Sequence, residues 1–212
     1  MSTSKAVIPM SSNAPEITQD DIAPTILPDA YLQSNLAQSL ASFHMPRYQD
    51  LPSVELYRDQ VIGTVEQVLH PLDDCADGDW LTPSMVNNYV KLGLIAPPHK
   101  KLYGREQIAR LLVICVFKQV LSIHAISSLF HIQRVTYTAE TAYDYVAREL
   151  EGAVRGAFSN EASPAPDSAS LVTRESLLVR NAVIAFSAKA YLMGYLKYIG
   201  YDEHDEGDRR KG

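Results

Sequence analysis

The chain of 212 residues lacks most of the parts from which catalysts are assembled. It has only two cysteines, Cys75 and Cys115, which excludes a disulfide framework and supplies no C-x-x-C pair. Cys115 lies in the apolar run Leu111 to Phe117 and reads as a core residue, whereas Cys75, in an acidic stretch, reads as a free surface thiol. There is no H-E-x-x-H, no G-x-S-x-G, no phosphate loop and no glycine-rich strand-to-helix turn. The carboxylates gather in loops and tails, where water keeps them from the burial that tunes catalytic groups. His124 and His131 stand seven residues apart with no carboxylate or cysteine beside them, and read as surface or boundary residues. A dedicated metal site needs several ligands at defined spacing. The expectation is a protein that is not an enzyme and uses no metal and no cofactor.

Long apolar runs are missing too. No stretch approaches the ~18 uncharged residues of a membrane span, and the apolar C-terminal region is interrupted by Arg180, Lys189 and Lys197. Only Ala6, Val7 and Ile8 follow the first lysine before Pro9, so no signal peptide is read. A cytoplasmic protein without a membrane partner is expected. Nor is the chain basic as a whole, at a net −6. The charge is segregated, however. Trp80 to Ala139 holds seven Lys/Arg against the single acid Glu106, which leaves +6 there and −12 elsewhere. Attraction to phosphate depends on such local charge rather than on the total.

What is present is helix chemistry, clearest at Thr82 to Ile95. Thr82 is a good N-cap, Pro83 sits at the first helical position, and Gly93 and Leu94 fit the C′ and C″ positions of a closing turn on Tyr89. Met85, Tyr89 and Leu92, flanked by Val86 and Val90, form the expected buried stripe. Ser84, Asn87, Asn88 and Lys91 share another face at i, i+3, i+4, i+7, a set of donors and acceptors suited to base edges in a major groove. Pro97 to Arg105 follows as a short, rigid, basic connection. Ile108 to Val120 is apolar nearly all round and reads as a central buried helix, with Gly104 and Gln107 as a partial capping box.

The remaining elements follow from spacing and caps. Met1 to about Pro24 is polar and proline-punctuated and reads as a disordered tail. Helices are expected at Asp29 to Ala41, at Val54 to Leu69 behind an N-cap at Ser53, and at Ile123 to Phe130 behind Ser122. A longer pair is expected at Tyr137 to Phe158 and Leu171 to Ile199, joined by the proline-containing linker Ser159 to Ser170. His70 to Asp79 reads as an acidic loop too long to be a tight turn. Tyr191, Tyr195 and Tyr198 in the last helix read as packing residues. Its small residues (Ala182, Ala185, Ala188, Ala190 and Gly194) permit close helix contact, which makes it the expected dimer element.

The block Asp50 to Phe130 resembles the MerR-like winged-helix family in Tyr89, Gly93-Leu94-Ile95, Pro97-Pro98, Tyr103, Ile108, Leu111 and Ser122-Ile123 with Ile126. It is more similar still to an uncharacterised bacterial branch, a domain of unknown function, through Leu56-Tyr57-Arg58-Asp59-Gln60-Val61, Met85-Val86-Asn87-Asn88-Tyr89 and Lys118-Gln119-Val120-Leu121-Ser122-Ile123. The resemblance implies an all-α fold: a winged helix-turn-helix core, a small two-stranded wing near Ile95 to Tyr103, and helical additions at both ends. The implied division is a tail at 1–25, the DNA-binding domain at 26–135, a helical hairpin for dimerisation at 136–200, and a charged tail at 201–212.

The implied function is sequence-specific binding of double-stranded DNA by a transcriptional regulator acting as a homodimer, with any effector unnamed. Asn87 and Asn88 are the candidates for base contacts, with Ser84 and Lys91 at the edges of the same face. Lys100, Lys101 and Arg105 are the candidates for phosphate contacts. The rival expectation is a helical protein-interaction module that has lost DNA binding.

Overall fold

A computed structural model describes residues 29–159 and 166–200. The two expected tails and the middle of the linker lie outside the described residues. In chain order the described elements are α1 (Asn35–Ala41), a 3-10 turn (Tyr48–Asp50), β1 (Leu56–Tyr57) and α2 (Arg58–Leu69). Next come a second 3-10 segment (His70–Cys75), α3 (Pro83–Lys91), β2 (Leu102–Tyr103), α4 (Arg105–Phe117), α5 (Ile123–Thr136), α6 (Ala139–Ala157) and α7 (Arg174–Tyr198). The fold is mostly helical, with one two-stranded sheet among the described residues.

That sheet differs from the expected one. Inside 95–103 Leu102 makes only a single antiparallel bridge, to His99; the strand partner of Leu102 and Tyr103 is β1, Tyr103 opposite Leu56 and Leu102 opposite Tyr57. The reason is local to α2. Gln60 Oε1 accepts the Tyr57 N–H at 2.9 Å, so the helix starts at Arg58 rather than behind Ser53, and Leu56-Tyr57 is left extended for pairing. α4 is the central helix: from Ile108 to Phe117 every residue except Arg110 is buried. Gln107 closes its first turn by accepting the Gly104 N–H at 2.6 Å.

The stretch His70 to Asp79 is not a free acidic loop. α2 runs straight into the 3-10 segment, which buries Leu72 and Cys75. Cys75 is 1% exposed, not a surface thiol; it donates to the Ala190 carbonyl of α7, and burial pushes its pKa up to about 12. Asp73 accepts from Trp80 Nε1 at 2.6 Å and meets His70 Nδ1 at 2.7 Å. Asp77 pairs with Lys189, and Asp74 with Lys197. The acids of this segment therefore tie it to α7.

Other carboxylates also lie away from the expected solvated positions. Glu149 and Glu151 of α6 are buried. Glu149 takes Arg180 Nη1 at 2.6 Å and the Ser168 N–H at 2.8 Å. Glu151 takes both terminal nitrogens of Arg47, the Met45 N–H, and His44 Nδ1. With every oxygen engaged, these two groups fasten neighbouring segments onto α6.

α6 and α7 pack on each other, and one continuous core runs from Tyr31 to Ala190. Tyr31 is a hub, with the rings of Phe158, Tyr191, Tyr195 and Tyr198 at centroid distances of 5.3–6.2 Å. Gly194 makes room for it, since a Cβ there would lie 2.5 Å from the Tyr31 hydroxyl. By length and composition α7, at 25 residues, is long and apolar enough to cross a membrane, contrary to the expectation that no stretch came near it. Here its inner face joins the core through Val183, Phe186 and Ala190, and Arg180, Lys189 and Lys197 are bonded to acids of the same chain.

Candidate nucleic-acid interface

α3 is bounded by the residues whose chemistry demanded it. Thr82 Oγ1 accepts the Met85 N–H at 3.2 Å, and Pro83 occupies the first turn. At the other end Gly93 has φ +69, and the Leu94 N–H reaches the Tyr89 carbonyl at 2.9 Å, the long bond of a Schellman cap. Val86 and Tyr89 are buried, and Met85 and Val90 are half-buried. Leu92 does not complete the stripe: it is 47% exposed, because the backbone leaves the helix there and turns at Gly93.

The opposite face is as expected in placement. Ser84, Asn87, Asn88 and Lys91 are all exposed. Their side chains have no hydrogen-bond or ionic partner among the described residues, so their full capacity faces solvent. Two long cations not foreseen in this role hold the helix they stand on. Lys118 Nζ, its pKa lowered by burial, donates to the Asp79 carbonyl at 2.7 Å and approaches Met85 Sδ at 3.5 Å. Arg134 Nη2 donates to the Gly93 carbonyl at 2.8 Å. α3 is thus braced at its entry and its exit by α4's end and α5.

Beyond α3 the backbone makes a two-residue hairpin. His99 and Leu102 exchange both backbone hydrogen bonds, at 3.0 and 2.8 Å, around Lys100 and Lys101. Both lysines have positive φ, +48 and +70, the pattern of a type I′ turn that glycine and asparagine adopt more cheaply. Both are exposed, with no side-chain partner among the described residues. Arg105 sits elsewhere in the same connection: its Nη1 donates to Gln49 at 2.7 Å, and its guanidinium lies 5.8 Å from the Tyr48 ring centroid.

The basic block is therefore less free than its sequence suggests. Of its seven cations Arg105, Arg110, Lys118 and Arg134 are bonded within the chain, while Lys91, Lys100 and Lys101 face solvent. One cation outside the block was missed. Arg58 follows β1, is paired only loosely with Asp59 at 3.4 Å, and stands close enough to Tyr103 to offset part of the rise that burial imposes on that hydroxyl. Only the pairing of β1 with β2 brings it here, a contact across 45 residues that composition does not reveal.

No curated protein and no solved structure matches the chain. No MerR-like or helix-turn-helix family is matched either. What does match is residues 46–146, just under half of the chain and containing all three shared motifs, which correspond to an uncharacterised family described as Domain of unknown function (DUF1836).

Proposed function

We propose that the protein is a sequence-specific DNA-binding regulator of MerR-like winged helix-turn-helix type, working as a homodimer. α3 is the recognition helix, α2 its partner, and the β1–β2 pair with the Lys100-Lys101 turn is the wing. The observation that carries this reading is the face of α3: four polar side chains, without a partner among the described residues, on a helix capped at both ends and braced by Lys118 and Arg134. A solvated face needs no bracing, whereas a reading face does, since bidentate contacts tolerate little motion. Asn87 and Asn88 read bases, Ser84 and Lys91 flank them, and Lys100 and Lys101 hold phosphates. Arg105 contributes only where a phosphate displaces Gln49.

Pairing is assigned to α7. Leu178, Asn181, Ala185, Ala188, Leu192, Tyr195 and Ile199 are exposed and recur at alternating intervals of three and four, the seam of a two-helix coiled coil. The occupant is a second copy of the same helix. Ala190, one of the small residues expected at such a contact, faces the chain's own core instead. The rival reading, an interaction module without DNA binding, draws on the four internally bonded cations.

Selection of bound fragments from random DNA separates the two readings. On a selected site Asn87→Ala or Asn88→Ala is expected to cost ~1–3 kcal/mol and relax preference at one base position, with the fold intact. If neither change alters affinity, α3 does not read DNA.

A further inference from the structure

Between α4, α5, α6 and the start of α7 lies a cleft of about 470 Å³, on surfaces the DNA reading does not use. That volume falls among sites that enclose drug-sized molecules. Its walls are apolar: Val113 and Phe117 from α4, Leu129 and Ile132 from α5, Val146 from α6 and Val179 from α7.

One charged group in this wall is incompletely served. Arg110 Nε donates to Glu106 Oε1 at 3.0 Å, and the guanidinium rests 5.2 Å from the Phe130 ring centroid. Nη2 makes only a long bond of 3.4 Å to Gln133, and Nη1 is buried with no acceptor among the described residues. The guanidinium cannot shed its charge, and a buried donor left unpaired is costly. The edge formed by Nη1 and Nη2 is the one on which a carboxylate sits with both oxygens. Arg148, exposed and without a partner among the described residues, adds a second cation to the rim. Of the two lining acids, Glu106 is spent on Arg110, and Glu175 stands in the first turn of α7. The α4 side of the cleft is thus the side that favours an anion.

We infer that this cleft binds a small amphipathic carboxylate, its apolar body between α4 and α6 and its head group on the Nη1–Nη2 edge of Arg110, in place of the long Gln133 contact. The site stands whether or not α3 reads DNA.

The test is calorimetric titration of the full chain with dodecanoate and with 1-dodecanol, both below micelle formation. Dodecanoate should saturate at one per chain, and 1-dodecanol should bind about tenfold more weakly or worse, the difference expected of a charge-assisted pair. Ala142→Trp, which fills the cleft from α6, should abolish binding. Arg110→Gln should bring dodecanoate down to the level of 1-dodecanol. Val54→Ser, at an exposed position that does not line the cleft, should change nothing. If Arg110→Gln does not fold, the comparison of the two compounds on the unaltered chain still decides the role of charge. Absence of saturable dodecanoate binding overturns the inference. So does equal binding of the two compounds, or loss of binding in Val54→Ser with retention in Ala142→Trp.

Discussion

Replacing Lys100 with asparagine and Lys101 with glycine together separates two uses of one turn. The lysines sit at φ +48 and +70, are exposed, and have no side-chain hydrogen-bond or ionic partner among the described residues. Each ordinary residue in the left-handed region costs ~1–2 kcal/mol, and Asn-Gly is the pair that a type I′ turn prefers. Glycine gives back ~0.5–1 kcal/mol through the entropy of the unfolded chain. The double variant should therefore be more stable by about 1–2 kcal/mol, which for a chain of this size raises the melting temperature by several degrees. Differential scanning calorimetry reads that directly.

The same variant should bind DNA worse. Two lost phosphate contacts reduce the slope of log affinity against log salt by ~0.9 each, measurable by fluorescence anisotropy on a selected site. Gain of stability with loss of binding is the signature of strain kept for function. A lowered melting temperature would show that the lysines support the fold, and an unchanged salt slope would remove the turn from the DNA surface.

Three further outcomes follow. Glu149→Ala removes the buried carboxylate that takes Arg180 Nη1 and the Ser168 N–H and should cost ~1–3 kcal/mol in urea unfolding; a loss under ~0.5 kcal/mol would place these bonds effectively in water. Leu192→Glu and Ala185→Glu should halve the mass seen by light scattering, whereas a bulky residue at Ala190 should unfold the chain. A monomeric mass for the unaltered protein at micromolar concentration would refute the α7 seam. Burial holds both thiols up at about 12, so the native protein should resist alkylation near neutral pH and both sites should react on unfolding. Because the unfolded thiols lose their protons first, stability should be unaffected below pH 9 and fall between pH 9 and 12. Rapid labelling of native Cys75 would contradict its position under α7.

Local chemistry was legible where its partners lie within a few residues. Thr82, Pro83, Gly93 and Leu94 fixed both ends of α3. Leu92 fell on the wrong side because the helical face was extended one residue past the point where the backbone turns. The remainder depended on distant partners. The strand at Leu56-Tyr57 exists only against Leu102-Tyr103, and Cys75 is covered by a helix 115 residues away. Lys118 and Arg134 serve backbone carbonyls, which leave no mark on residue type. The α7 seam was present as spacing, but the helix is apolar on its inner side as well, so one stripe did not stand out from the other.

The attachment of the 70–79 segment to α7 sets the scale of the folding unit. Asp74, Cys75 and Asp77 come between α2 and α3, inside the matched region, yet their partners Lys197, Ala190 and Lys189 lie beyond it. A fragment cut at the family boundary would keep α3 and lose what steadies the segment leading into it. Inheritance is constrained in the same way: a change of sign at Lys189 or Lys197 presses on Asp77 or Asp74, so the inner side of the C-terminal helix and the 70–79 segment must change together.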